Sequence, residues 1–113
     1  QVVVADLGNH RINIYDLDGR FIKSFGKEGT GPGEFRKPAG IAIDKMNNIY
    51  VSEIGNNRIQ KFDRDGKFLG MWGEGGAGQG QFGNLHGIML DNQGFMYVAD
   101  TANNRIQKYK MLK

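Results

Sequence analysis

Short apolar runs separated by turn-forming residues recur along the whole chain. A complete set lies in the middle, where each run has five or six residues and is rich in Ile, Val, Tyr, Phe or Trp. Such residues suit a pleated, packed surface, and no run carries a helical period of useful length. The pattern predicts four strands in this part of the chain, at residues 40–44, 48–52, 58–63 and 67–72.

The segments between the runs have turn chemistry, with Asn, Asp and Gly prominent. Asp18-Gly19 and Asp65-Gly66 predict tight hairpins whose central residues need positive φ. The acidic pairs at these turns, Asp16 with Asp18 and Asp63 with Asp65, resemble short calcium loops but fit hairpins better. Longer glycine-rich segments, at residues 26–33 and 73–80, predict connections between groups of strands.

The apolar positions do not alternate cleanly within the runs. Ile59 and Phe62 fall on opposite faces of one predicted strand. A sheet with one face in water would not carry both. We therefore expect sheets that are packed on both faces.

The run that begins with an arginine is repeated. The hexapeptide NNRIQK occurs at residues 56–61 and 103–108, and a looser copy, NHRINI, occurs at residues 9–14. The three arginines, Arg11, Arg58 and Arg105, are each 47 residues apart. A fixed period of this length with four strands per unit is typical of one blade of a β-propeller.

The repeated unit resembles the NHL repeat. The resemblance covers essentially the whole chain and implies a β-propeller, usually with six blades. The second copy departs from the pattern at Leu85-His86, where the first has Pro38-Ala39. The matching residues of the central copy are Phe35, Pro38, Gly40, Ile41, Asp44, Tyr50, Val51, Asn56, Arg58, Ile59 and Gly66.

The 113 residues are too few for a ring of six blades, which needs about 280 residues at this period. We predict a partial blade of three strands and a connection at residues 1–40, a full repeat at 41–87 and a second partial blade at 88–113. Bare blade faces and open strand edges are avoided in natural proteins. Further copies of the chain, or sequence outside it, are therefore expected to complete the ring and to cover the apolar faces around Tyr15, Ile43, Val51, Phe62 and Tyr97.

Composition limits the possible chemistry. The chain has no cysteine, which excludes thiolate metal sites, disulfides and cysteine catalysis. The formal net charge of +3 is mildly basic, and no apolar run approaches the length that spans a membrane. The glycine-rich segments lack the Lys-Ser/Thr ending of a phosphate loop, and no G-x-S-x-G occurs. We expect no cofactor and no metal, and the sequence leaves the cellular compartment open.

Two groups of polar residues are candidates for structural or binding roles. In each repeat an acid precedes the arginine by five residues, which predicts a pair across the intervening turn. The second group lies in the loops of one rim of the predicted propeller, the top rim, where positions that differ between repeats favour function over fold. The pairs are Asp6–Arg11, Glu53–Arg58 and Asp100–Arg105, and the rim residues are His10, Lys27, Arg36, Lys37, Asn57, His86 and Asn104.

Three classes of function remain open on these residues. The first is a non-catalytic scaffold that binds another protein, or assembles with itself, through blade contacts and the top rim. The second is binding of single-stranded RNA through basic rim residues, as in NHL propellers of tripartite-motif-like proteins. The third is a metal-dependent lyase similar to peptidyl-hydroxyglycine amidating lyases. The chain holds only His10 and His86, so a site of three imidazoles would need several copies.

Overall fold

Residues 1–111 are described by a computed structural model, and their strands form three main antiparallel sheets. The first sheet has three strands: β1 Val2–Asp6, β2 Arg11–Tyr15 and β3 Phe21–Phe25. The second has four: β4 Pro38–Ile43, β5 Ile49–Glu53, β6 Arg58–Phe62 and β7 Phe68–Trp72. After the short strands β8 Glu74–Gly75 and β9 Gln81–Phe82, the third sheet contains β10 Leu85–Leu90, β11 Phe95–Asp100 and β12 Arg105–Lys110.

Each main sheet is a meander in which consecutive strands pair. Two single-turn 3-10 helices, Leu7–Asn9 and Thr101–Asn103, are the helical elements among the described residues. The predicted all-β fold of antiparallel blades is therefore confirmed. The proposed limits between blades remain predictions, and the last two residues of the predicted unit 88–113 lie outside the described residues.

The core lies between the sheets. One cluster joins Ile12 and Ile14 of the first sheet to Val51 and Phe62 of the second. A second cluster joins Tyr50 and Ile59 of the second sheet to Met96 and Val98 of the third. The second sheet is therefore covered on both faces, as the position of Ile59 and Phe62 on opposite faces requires.

This packing corrects one expectation from the repeat count. We expected Val51 and Phe62 to need partners from outside the chain, but both are already buried against the first sheet. The faces that remain uncovered belong to the outer sheets. They carry exposed residues such as Val2 and Val4 on one side and Met89 and Ile106 on the other.

The Asp-Gly hairpins differ from the predicted geometry. Gly19 and Gly66 have positive φ, but Asp18 and Asp65 do not. In the second sheet the amide of Gly66 bonds to the carbonyl of Asp63, and the pairing register shifts by one residue between Lys61 and Phe62. A turn followed by one left-handed glycine and a bulge explains both facts.

The two glycine-rich connections, residues 26–37 and 73–84, are held close to the sheets. Gly26 and Gly73 open these loops with φ of 99° and 103°. A Cβ on Gly26 would lie 2.4 Å from the ring of Phe35, and one on Gly73 would lie 2.6 Å from that of Phe82. Only glycine fits these two positions, because each needs positive φ and leaves no room for a side chain.

Candidate interaction surface on the rim

A buried carboxylate organises the rim end of the second sheet. Glu53 is fully buried and closes β5, where it pairs in register with Arg58 at the start of β6. Arg58 Nε donates to Glu53 Oε2 at 2.6 Å, and Gln60 Nε2 donates to the same oxygen at 2.9 Å. Asn56 Nδ2 and the amide of Arg36 donate to Oε1. Four donors therefore satisfy the buried charge, as burial requires.

The same side chains also bind the first glycine-rich loop. Asn56 Nδ2 donates to the carbonyl of Gly29, and Arg58 Nη2 donates to the carbonyls of Gly31 and Glu34. Arg58 Nη1 donates to the carbonyl of Thr30. Gln60 Nε2 donates to the Glu34 carbonyl at 2.7 Å, and its Oε1 accepts from Gly33 N at 2.9 Å. We call the acid, Asn, Arg and amide side chains of one sheet a clamp.

The third sheet carries a second copy of this clamp. Asp100 accepts hydrogen bonds from Asn103, Arg105 and Gln107, and from the amide of Gly83. Burial alone would raise the pKa of Asp100, but these four donors outweigh it and lower the pKa to about 2.

The second clamp grips its loop as the first does. Asn103 donates to the carbonyl of Gly76, and Arg105 Nη2 to those of Gly78 and Gln81. Gln107 Nε2 also donates to the Gln81 carbonyl. Each of these acceptors lies 47 residues after its counterpart in the first loop, so the contact repeats with the fold.

The corresponding residues of the first sheet form an open version. Arg11 Nε lies 3.4 Å from Asp6 Oδ2, and the Arg11 side chain is 47% exposed, against 9% for Arg58. Asn9 Nδ2 donates to Asp6, and Asn13 Nδ2 lies 3.4 Å from Asp6 Oδ2. The hydrogen bond from Asn9 is the largest influence on Asp6 and lowers the pKa of that carboxyl, against partial desolvation.

Two of the predicted basic rim residues, His10 and Lys27, lie near acids. His10 Nδ1 accepts from the amide of Lys37, and His10 Nε2 is 3.8 Å from Glu28 Oε2. Lys27 Nζ is 3.7 Å from Glu34 Oε2. Arg36 and Lys37 are exposed, and their carbonyls accept from Gly55 and Ile54. The first glycine-rich loop and the β5–β6 turn are thus joined, and two of the four basic rim residues have an acidic neighbour.

Several of the predicted rim residues share an unusual backbone conformation. His10, Asn57 and Asn104 all adopt left-handed backbone at the end of the turn before the arginine strand, with φ of 50° to 54°. Asn tolerates this conformation better than most residues. His86 is exposed, its Nδ1 is 2.8 Å from the carbonyl of Asn84, and its own carbonyl accepts from Ser52 Oγ.

Sequence reasoning missed the amide members of the clamps. Gln60 and Gln107 follow each clamp arginine by two residues and were visible within the repeated hexapeptide. Their loop partners lie 26 or 27 residues away in the chain and touch them through backbone groups. Carbonyl acceptors leave no residue-type signature, so the repeat period was the available signal.

With this geometry described, comparison with known proteins identifies the family. Residues 1–70 match the family described as DUF5128, 6-bladed beta-propeller, and residues 82–109 match the NHL repeat. The chain belongs to this six-bladed β-propeller family and carries NHL repeats. RING finger protein nhl-1 of Caenorhabditis elegans is 42% identical over 48 residues, which are 42% of this chain and 5% of that protein.

Solved structures share the fold at low sequence identity. A structural genomics protein of unknown function from Bacteroides thetaiotaomicron matches 96% of this chain and 32% of its own, with 21% identity and a TM-score of 0.78. A streptogramin B lyase matches 96% and 36%, with 15% identity and a TM-score of 0.69. The chain thus spans about a third of each. A propeller of this kind supports a general role as a protein-interaction scaffold.

Over residues 1–111, no helix has the length and apolar character needed to cross a bilayer.

Proposed function

We propose that the chain is a non-catalytic scaffold that assembles with further copies of itself through its two uncovered blade faces and presents the rim to a partner. The observation that carries this proposal is the repeat relation between covered and uncovered faces. Residues that are buried inside the chain have exposed counterparts on the outer sheets, 47 positions away.

The first sheet is uncovered on the face that carries Val2 and Val4. Val51, the counterpart of Val4, is 0% exposed against the first sheet, whereas Val4 is 42% exposed. Val2 is likewise exposed although its counterpart, Ile49, is buried. This face has the composition of one that packs on another blade.

The third sheet is uncovered on the opposite side. Ile106 is 67% exposed, whereas Ile59, its counterpart in the second sheet, is 0% exposed against the third sheet. Met89 is exposed where its counterpart, Ala42, is buried. Fully burying a side chain of this size is worth about 1.5 to 3 kcal/mol, so covering both faces would stabilise the chain.

The two uncovered faces are complementary because the chain already contains their contact twice. The first sheet meets the second, and the second meets the third, each through the same pair of faces. A second copy can therefore offer its third sheet to the first sheet of its neighbour. Such head-to-tail contacts close into a ring when the rotation per chain allows it.

The rim geometry favours binding over catalysis. The carboxylates of Glu53 and Asp100 are each surrounded by donors that hold loops in place. Binding of RNA would need a continuous positive surface, but Lys27 and His10 lie near Glu34 and Glu28. The streptogramin B lyase shares the fold alone, so RNA binding and lyase activity are both less favoured than the scaffold role.

Light scattering coupled to size-exclusion chromatography tests self-assembly at micromolar concentration. We expect a mass of two or three times the 12.6 kDa of one chain. Ile106→Asp should shift the mass towards that of one chain, because it places a charge in the contact. Leu17→Asp is the matched control, since Leu17 is exposed in the hairpin turn between β2 and β3, and should leave the mass unchanged.

A compact chain of 12.6 kDa that melts cooperatively would contradict self-assembly, and so would equal masses for the two variants. An unfolded single chain would also count against it and would indicate that the faces need blades from another source.

A further inference from the structure

The clamp of the first sheet has the groups that bind a glycine-rich loop but no loop among the described residues. This first clamp consists of Asp6, Asn9, Arg11 and Asn13. Its counterparts in the second and third sheets hold residues 29–34 and 76–81. The segment that would correspond to those loops would precede Gln1 in the numbering.

Asn13 supplies an independent sign of a missing ligand. The residue is only 8% exposed, and its Oδ1 has no hydrogen-bond partner within residues 1–111. The equivalent oxygen of Gln60 accepts from the amide of Gly33 at 2.9 Å. A buried carbonyl oxygen without a donor is destabilising by about 1 to 3 kcal/mol. The site is therefore complete only when an N–H group reaches Asn13.

The cation of the first clamp is also available. Arg11 makes one side-chain hydrogen bond in the described part of the chain, from Nε to Asp6. In the second sheet the terminal nitrogens of Arg58 donate to three loop carbonyls. Arg11 stands at the same place in its sheet and pairs with Asp6 in the same register as Arg58 with Glu53.

The two loops held inside the chain define the ligand. Their sequences are GTGPGEF at residues 29–35 and GAGQGQF at residues 76–82. The clamp contacts the carbonyls of the first, third and sixth residues in both. The fifth residue is a glycine with φ of 77° or 72°, and this conformation disfavours any other residue.

We propose that the first clamp binds a glycine-rich segment of the pattern Gly-X-Gly-X-Gly-Glu/Gln-Phe. Arg11 donates to the carbonyls of the third and sixth residues, Asn9 donates to that of the first, and Asn13 Oδ1 accepts the amide of the fifth. Asn13 is one methylene shorter than Gln60, so the segment sits closer to the sheet here.

This site is separable from self-assembly. Stacking of blades uses the apolar faces around Val4 and Ile106, whereas the clamp binds loop backbone at the rim end of the first sheet. Peptide binding and molecular mass therefore report on the two proposals independently, and Ile106→Asp removes stacking without touching the clamp.

The probe is a fluorescent synthetic peptide with the sequence of residues 26–37, GKEGTGPGEFRK, titrated by anisotropy into the wild-type chain and into Ile106→Asp. We expect saturable binding to both proteins. Arg11→Ala should weaken binding roughly tenfold, because charge-assisted hydrogen bonds to two carbonyls are lost. Arg20→Ala is the matched control, since it removes the same charge from an exposed turn of the same sheet, and should bind as the wild type does.

A second peptide tests the conformation. Replacing the glycine that corresponds to Gly33 with alanine keeps every charge but disfavours the positive φ, so it should also weaken binding. The proposal is overturned if neither protein binds the peptide at millimolar concentration. It is equally overturned if Arg11→Ala and Arg20→Ala bind with the same affinity. The clamp variant is expected to fold, because Arg11 is half-exposed and lies outside both core clusters.

Discussion

The first and second sheets place two related segments, NHRINI and NNRIQK, in different surroundings. In the second sheet the Glu53–Arg58 pair is buried at 2.6 Å beneath a loop that accepts four further hydrogen bonds from Arg58 and Gln60. In the first sheet the Asp6–Arg11 pair is longer, at 3.4 Å, and half-exposed. The comparison indicates that the covering loop, more than the ion pair itself, determines how much the pair contributes to stability.

The largest difference in the free energy of unfolding should appear when the arginine of each clamp is replaced in turn. Arg58→Ala leaves Glu53 buried without its cation and frees three loop carbonyls, so we expect the free energy of unfolding to fall by about 3 to 5 kcal/mol. Arg11→Ala should change it by less than about 1 kcal/mol, because water already solvates that pair. Urea denaturation of both variants measures the two values, and similar costs would contradict the comparison.

The elements of the comparison differ in how far sequence could predict them. The repeat, the strands and the acid–arginine spacing were readable, because apolar patterning and register depend on local residue types. The burial of Glu53 was not, since it depends on a loop some 20 residues earlier folding back over it. The burial of Val51 and Phe62 was missed for the same reason, because it requires the first sheet to stack on the second.

The predicted rim residues show the same limit. The repeat predicts that His10, Asn57 and Asn104 lie at equivalent turn positions. It does not predict that His10 accepts a hydrogen bond from the Lys37 amide. The acidic neighbours of Lys27 and His10 belong to the same loop and could have been weighed from the sequence. Their proximity depends on how the glycine residues fold that loop.

Lowering the pH should reveal a smaller difference in stability between the covered clamp at Asp100 and the open clamp at Asp6 than the arginine variants do. The pKa of Asp100 is lowered from 3.8 to about 2 in the folded chain, so its contribution is present above pH 4 and is lost as the pH falls towards 2. We expect this contribution to be at most about 2.4 kcal/mol, since each pKa unit corresponds to 1.36 kcal/mol. Asp100→Asn should flatten the pH dependence of the melting temperature in this range.

The control for acid is the open clamp. Asp6→Asn should leave most of that pH dependence in place, because Asp6 is reached by solvent and its contacts with Arg11 and Asn13 are longer, at 3.4 Å. A pH profile that flattens as much for Asp6→Asn as for Asp100→Asn would show that covering the clamp does not control its titration.

The smallest difference in the free energy of unfolding should come from the side-chain amides two residues after each arginine, Gln60 and Asn13. Gln60 donates to Glu53 and to the carbonyl of Glu34, and accepts from Gly33, so Gln60→Ala leaves loop groups unpaired. We expect a loss of about 1 kcal/mol, because Gly33 and Glu34 are half-buried and water can replace part of the contact. Asn13→Ala should cost nothing or stabilise slightly, because it removes a buried oxygen that has no donor among residues 1–111 and loses only a long Nδ2 contact with Asp6. Urea denaturation in the Ile106→Asp background measures both without a contribution from assembly.

Repeating the denaturation with the glycine-rich peptide at saturation sharpens the comparison. With peptide bound, Asn13→Ala should lower the free energy of unfolding by about as much as Gln60→Ala does. An unchanged near-zero cost with peptide bound would mean that the ligand does not reach Asn13.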